Sequence, residues 1–180
     1  MSDNCVHYVS RVLNVPDLEE RAGRVVSWLL ENELAIPGLS EEPVLTGQGY
    51  RPGPRANEAL AYPNDHLQAL RTNGVAVQTE RRSYWSSHSP EALCPSCGQH
   101  LDMDEWLEVL EDWSTGAGSG RIECGSCSLA VPLCAMAMED AWGFSDFAVS
   151  FWNWGELSYD WTQQLQSVMG VPLIRVWEHI

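Results

Sequence analysis

The sequence predicts an α+β fold, in which a mixed or antiparallel sheet is flanked by helices. Segments with strand-like alternation lie near both ends of the chain, and segments with apolar residues at helical spacing lie between them. A third observation is a cysteine-containing region in the middle of the chain. We therefore predict a single domain over 1–180 with an insert over 92–133.

The first elements are a short strand over 6–13 and a helix that begins after Asp17. Asp17 and Glu20 match a capping box. Apolar residues then recur at helical spacing, which predicts one buried helix face. The helix is expected to end before Pro37.

The segment over 40–63 is rich in Gly and Pro, which excludes long regular elements. A loop of this length within a domain is often functional. The alternative is a loop that Tyr50 and Tyr62 simply hold in place. A short helix over 64–71 and a strand over 75–84 are predicted to follow.

The last third of the chain reads as strand, helix, strand. The strands are expected over 147–154 and 171–180, with the helix over 158–169 ending at Gly170. Two such strands are parallel, with a right-handed crossover, if they are adjacent in one sheet. A split antiparallel arrangement is the alternative.

Four cysteines form two Cys-x-x-Cys pairs, which we predict to bind one structural zinc ion. The ligands are Cys94, Cys97, Cys124 and Cys127. Each turn places two thiolates on one side of an ion, and two turns complete a tetrahedron. The 26 residues between the pairs exceed the expected spacing of about 15 to 20. We attribute the excess to an acidic helix inserted between the turns.

The site resembles a zinc ribbon over residues 94–131, and the CPSCG segment is similar to that family's turn. The resemblance implies a fold element and a metal, not an activity. Gly98 suits the left-handed backbone such a turn needs, whereas Ser128 makes the second turn less typical. Disulfides, a redox-active pair, a catalytic zinc and a ligand role for His100 are the alternatives. Cys134 is expected to be a buried small hydrophobic residue.

The helix between the pairs is predicted to be amphipathic and capped by Asp102, with Glu105 completing the box. Its apolar stripe is Met103, Trp106, Leu107, Leu110 and Trp113. Its acidic face is Asp104, Glu105, Glu108, Glu111 and Asp112. Such a face is often only solvated. Our sharper hypothesis is a docking face for the basic residues of a partner.

The formal net charge is −15, and all ten basic residues are Arg. The absence of Lys excludes mechanisms that depend on a lysine, such as a P-loop or a Schiff base. The charge disfavours nucleic acid and anionic membrane, and it favours a basic protein partner. Without a signal-peptide pattern, a cytoplasmic location is expected.

Our leading functional hypothesis is a non-enzymatic, zinc-stabilised protein that binds a basic protein partner, such as an immunity protein or antitoxin. The alternative is a small cytoplasmic enzyme with a remote structural zinc. Its pocket would lie between the 40–63 loop and the final sheet, lined by groups such as His66, His88 or Arg55. No histidine forms a sequence motif with a nucleophile, so the catalytic residues of such an enzyme are unknown.

Overall fold

The computed structural model describes residues 3–85, 91–138 and 141–180. Within these ranges the strands are β1 (Asn4–Ser10), β2 (Val75–Gln78), β3 (Arg82–Tyr84), β4 (Ala92–Leu93), β5 (Arg121–Glu123), β6 (Ala130–Pro132), β7 (Ala137–Met138), β8 (Gly143–Ser145), β9 (Ala148–Trp152) and β10 (Leu173–His179). The helices are α1 (Leu18–Glu31), α2 (Met103–Thr115) and α3 (Tyr159–Met169), with 3-10 turns at Ala56–Ala59, Leu67–Ala69 and Leu133–Ala135.

The main sheet has the strand order β10-β1-β9-β2, and every neighbouring pair is antiparallel. β9 and β10 are therefore parallel to each other but separated by β1, which is the split arrangement. β1 and β2 are separated by β9 in the same way. Two split β-α-β units give the ferredoxin-like connectivity. The predicted α+β class with an antiparallel sheet is confirmed.

One face of the sheet carries both α1 and α3 over the main hydrophobic core. Val6 and Tyr8 of β1 and Phe151 of β9 pack there against Val25 of α1 and Leu165 of α3. These positions follow from the alternation of the strands and the helical spacing of the helices. The Tyr8 hydroxyl accepts a hydrogen bond from the Leu157 main-chain N–H at 2.8 Å, which satisfies its buried oxygen.

The opposite face of the sheet is covered by short segments rather than by helices. Tyr84 of β3 packs on Val9 and Val176, and Val44 from the glycine-rich loop packs near Trp152. We predicted a single strand over 75–84, which is wrong. β2 pairs with β9, whereas β3 pairs with β8.

Two predictions of local structure are wrong. The predicted helix over 64–71 is reduced to the 3-10 turn at Leu67–Ala69. Asp17 precedes α1 in the left-handed conformation, with φ 53°, and its side chain makes no capping bond. The capping box predicted there is therefore wrong, although the helix itself forms.

The chain between β2 and β9 contains both cysteine pairs, and we call its residues 91–138 the cysteine module. The segment that contains the second cysteine pair is a hairpin, in which β5 and β6 pair across the cysteine turn. A second hydrophobic cluster contains Trp106, Trp113, Ile122 and Val131. Among the described residues, no helix has the length and apolarity to cross a membrane.

Candidate metal centre

The two cysteine turns of the module have the same backbone hydrogen bonds. In the first, the Cys94 N–H donates to the Gln99 carbonyl at 2.9 Å, and the Gly98 N–H donates to the Cys94 carbonyl at 2.9 Å. In the second, the Cys124 N–H donates to Leu129 at 2.9 Å, and the Ser128 N–H donates to Cys124 at 2.8 Å. The sequence pairs therefore fold into matching turns.

The residue after each pair has a left-handed backbone. Gly98 has φ 69° and Ser128 has φ 56°. This conformation costs a residue with a side chain roughly 1–2 kcal/mol, whereas glycine adopts it freely. The second turn therefore has the geometry of the first, and Ser128 carries a conformational cost that Gly98 avoids.

The four sulfur atoms lie close enough together to hold one metal ion. Cys94 Sγ is 3.7 Å from Cys127 Sγ, and Cys97 Sγ is 3.7 Å from Cys124 Sγ. The four ligand atoms all lie within 4.8 Å of one another. A disulfide would require about 2.05 Å, and all six cysteines are free. Thiolates about 2.3 Å from a central ion in a tetrahedron lie ~3.8 Å apart, which matches the shortest separations.

Neighbouring N–H groups and neighbouring thiols shift the pKa values of the clustered cysteines in opposite directions. The N–H groups of Ser126 and Cys127 lower the pKa of Cys124 to about 7. At Cys127 the Leu129 N–H lowers the pKa, but desolvation and the other three cysteines outweigh it and raise the pKa to about 12. Metal ligands must be thiolates, and a dication offsets the repulsion between them.

The four cysteines of the cluster differ in burial, so the cluster extends from the core of the module to its surface. Cys94 and Cys124 are buried among the residues of the second hydrophobic cluster, whereas Cys97 and Cys127 are exposed. An ion at this position would therefore hold both turns against that core. His100 lies outside the cluster, with its Nδ1 3.7 Å from Glu91 Oε2. The structure thus supports four cysteine ligands.

Helix α2 begins at the predicted cap. The Asp102 carboxylate accepts the N–H groups of Asp104 and Glu105 at 3.0 and 3.1 Å. Such a cap stabilises a helix by about 1 kcal/mol. The helix therefore has a fixed start close to the first cysteine turn.

The acidic face predicted on α2 points to solvent. All five of its carboxylate residues are exposed: Asp104, Glu105, Glu108, Glu111 and Asp112. Within the described part of the chain, none of them forms an ion pair. The predicted apolar stripe is only partly correct, because Trp106 and Trp113 are buried whereas Met103 and Leu107 are 48% and 43% exposed.

A buried polar chain on the helix-free face of the sheet escaped the sequence analysis. His7 Nδ1 lies 2.8 Å from Ser150 Oγ, and His7 Nε2 lies 2.8 Å from Glu178 Oε2. The three residues come from the adjacent strands β9, β1 and β10. Only the pairing of these strands brings them together, so no sequence spacing indicates the cluster.

The hydrogen-bonded Ser150, His7 and Glu178 are the residue types of a catalytic triad. Their surroundings do not suit a substrate. Ser150 is only 2% exposed. The adjoining cavity, lined also by Arg82 and Trp152, has a volume of about 60 Å³. That is room for about two water molecules at ~30 Å³ each. Among the described residues, the buried Trp152 indole N–H has no hydrogen-bond partner.

Of the residues we named for an enzyme pocket, Arg55 and His66 do not line the small cavity beside the 40–63 loop. Arg55 pairs with Glu58 at 2.8 Å, and both side chains are largely exposed. His66 is exposed at the start of a 3-10 turn. His88 lies outside the described residues. The small cavity between Thr46 and β10 is instead lined by His7, Ser150 and their neighbours.

Comparison with known proteins assigns no family to this geometry. No protein-family model, no curated protein and no solved structure matches the chain. The function has to be inferred from the chemistry of the residues themselves.

Proposed function

We propose that this chain is a zinc-stabilised acidic protein without enzymatic activity, and that it binds a basic protein partner. The observation that carries the proposal is the exposed acidic face of α2, located between two cysteine turns that share one candidate metal site. In this proposal the metal positions the binding surface, and the carboxylates of α2 recognise the partner.

Zinc is the metal that fits the cluster best. Four thiolates in a tetrahedron suit zinc or iron, and zinc has no redox chemistry to control. Four cysteines also close the coordination shell, which is typical of a structural ion rather than a catalytic one. The partly exposed site of Cys97 and Cys127 gives zinc direct access from solvent.

The charge of α2 supports a basic partner. The helix contains no basic residue, and its first turn carries Asp104 and Glu105. Carboxylates that pair with no basic residue in the described part of the chain are available to arginine or lysine side chains of another protein. Complementary charge accelerates encounter and disfavours wrong partners, mainly through the association rate.

Two apolar side chains provide the contact area that charge alone lacks. Met103 and Leu107 are exposed one turn apart on α2. Protein interfaces commonly have an apolar centre surrounded by a polar rim, and methionine is enriched in them. The acidic residues of α2 would form the polar part of this surface on one side of Met103 and Leu107.

An immunity protein or antitoxin is the biological role that we favour within this class. A toxin that acts on nucleic acid needs a positive surface to bind phosphates. A small protein with net charge −15 can mask such a surface by complementarity. This role also accounts for an acidic protein with no large catalytic pocket beside its buried polar chain.

Charge reversal on α2 tests the proposal. The tagged chain is used to isolate its partner from the native host, and binding of that partner is then measured by calorimetry. Glu108→Arg with Glu111→Arg should weaken binding at least about tenfold, because close charge pairs at interfaces contribute roughly 1.5 kcal/mol or more. Glu19→Arg with Glu41→Arg is the matched control, since both residues are exposed elsewhere.

The control variant shows whether weaker binding results from loss of the α2 surface or only from the change in net charge. Both double variants change the net charge equally, so equal weakening would indicate only long-range attraction. Unchanged binding by the α2 variant would reject the acidic face as the docking surface. Metal analysis of the same preparations should find about one zinc and no iron per chain.

A further inference from the structure

A second feature of the molecule is a basic cleft at the junction of the main sheet and the cysteine module. It has a volume of about 290 Å³ and lies between the end of β1 and the β5–β6 hairpin. Arg11 and Asn14 line one side, and Ser119 and Arg121 line the other. None of the described residues that line it is acidic, although the chain has 25 acidic residues and only ten basic ones.

The two arginines of this cleft differ from four others in the chain, which form ion pairs. Arg24, Arg51, Arg55 and Arg175 each pair with a glutamate. Among the described residues, neither Arg11 nor Arg121 has a carboxylate partner; Arg121 Nη1 donates to the Ala130 carbonyl at 3.2 Å. Two guanidinium groups therefore face one concave surface with most of their donors unused.

Cys134 lines the same cleft as the two arginines. We expected a buried residue, but its side chain is half-buried on the wall of the cleft. Burial raises the pKa of the Cys134 thiol, whereas Arg11, the Leu13 N–H and Arg121 lower it. Positive charge and an N–H dipole thus converge at the base of the cleft.

The geometry points to a binding site for the phosphate group of a small molecule. Guanidinium groups bind phosphate through paired, charge-assisted hydrogen bonds. The Ser119 hydroxyl and the Asn14 amide supply further donors at the same surface. The volume is at the lower end of the ~300–1,000 Å³ found for ligand sites, and the acidic surface around it opposes a long polyanion.

Titration with inorganic phosphate tests this site in the full-length, metal-loaded chain. Calorimetry should detect one saturable site in the wild type, weakened as salt increases. Arg11→Gln and Arg121→Gln should each reduce the affinity about tenfold or more, because a hydrogen bond to a charged group is lost. Arg24→Gln removes the same charge from α1 and should leave the affinity unchanged.

Three results would overturn the assignment. They are the absence of saturable phosphate binding by the wild type, unchanged affinity in Arg11→Gln, and an equal loss in Arg24→Gln. Arg11→Gln is decisive, because Arg11 lies outside the cysteine module, whereas Arg121 supports the hairpin next to it. Metal content measured for Arg121→Gln shows whether the module stays intact. A phosphoserine peptide that binds more tightly than free phosphate would also contradict a small-molecule ligand.

Discussion

Strands β1 and β10 pair over seven residues, whereas β4 and β7 of the cysteine module pair over only two. The main sheet has four strands and two helices packed on one of its faces. The module has one helix and two-stranded pairs of two or three residues. A two-stranded pair is marginally stable by itself in water, so the module needs another source of stability.

The main sheet and the cysteine module differ in what stabilises them. Burial of apolar side chains stabilises the sheet, because long paired strands present alternate residues to the helices. In the module, the second hydrophobic cluster is supplemented by the four cysteines. Metal binding is worth on the order of 10 kcal/mol in small zinc domains, which is comparable to burying about three to seven large apolar side chains.

Loss of one cysteine ligand should have the largest effect and should separate the two regions. In Cys97→Ser we expect metal content to fall from about one equivalent towards none, because three thiolates hold the ion less tightly. Amide hydrogen exchange should then accelerate in α2 while β1 and β9 stay protected. Cys134→Ser is the control and should retain the metal, since Cys134 is outside the cluster. An unchanged exchange pattern in metal-free protein would refute the difference between the regions.

A core substitution in the sheet should have the complementary effect. Phe151 is fully buried, and its ring lies 5.8 Å from that of Tyr8 and 5.1 Å from that of Trp154. Phe151→Ala should lower the free energy of unfolding by ~3–5 kcal/mol, as measured by urea denaturation. The folded variant should still bind one metal ion.

Tyr159→Ala provides the surface control for this substitution. Tyr159 is 76% exposed, so its removal should change the stability by no more than about 0.5 kcal/mol. If Phe151→Ala loses its metal while still folded, the two regions depend on each other more closely than their separate hydrophobic clusters indicate.

Local sequence patterns predicted what depends on local chemistry. The helices follow from apolar spacing, and the Asp102 cap and the two cysteine turns follow from short motifs. The order of the strands could not be predicted, because no local sequence pattern indicates that β1 lies between β9 and β10. The division of the 75–84 segment into β2 and β3 has the same origin, since each half pairs with a different strand.

The candidate metal site was therefore predictable, and the buried polar chain was not. Cys94 and Cys97 are three positions apart, so one turn brings them together and the motif is visible in the sequence. His7 and Glu178 are nearly the whole chain apart and meet only because β1 pairs with β10. The exposure of Met103 and Leu107 was missed for a similar reason, since helical spacing shows which residues share a face but not how much of that face is covered.

The smallest expected effect concerns the asymmetry between the two cysteine turns. Ser128 holds the left-handed conformation that Gly98 holds in the first turn, with φ 56°. Ser128→Gly should remove strain and stabilise the metal-bound module by ~0.5–1 kcal/mol after the entropy of the added glycine is considered. Gly98→Ser should destabilise it by a similar amount. Competition with a chelator would measure both as changes in metal affinity. Weaker metal binding by Ser128→Gly would contradict this, because it would mean that the serine side chain contributes more to the second turn than its backbone strain costs.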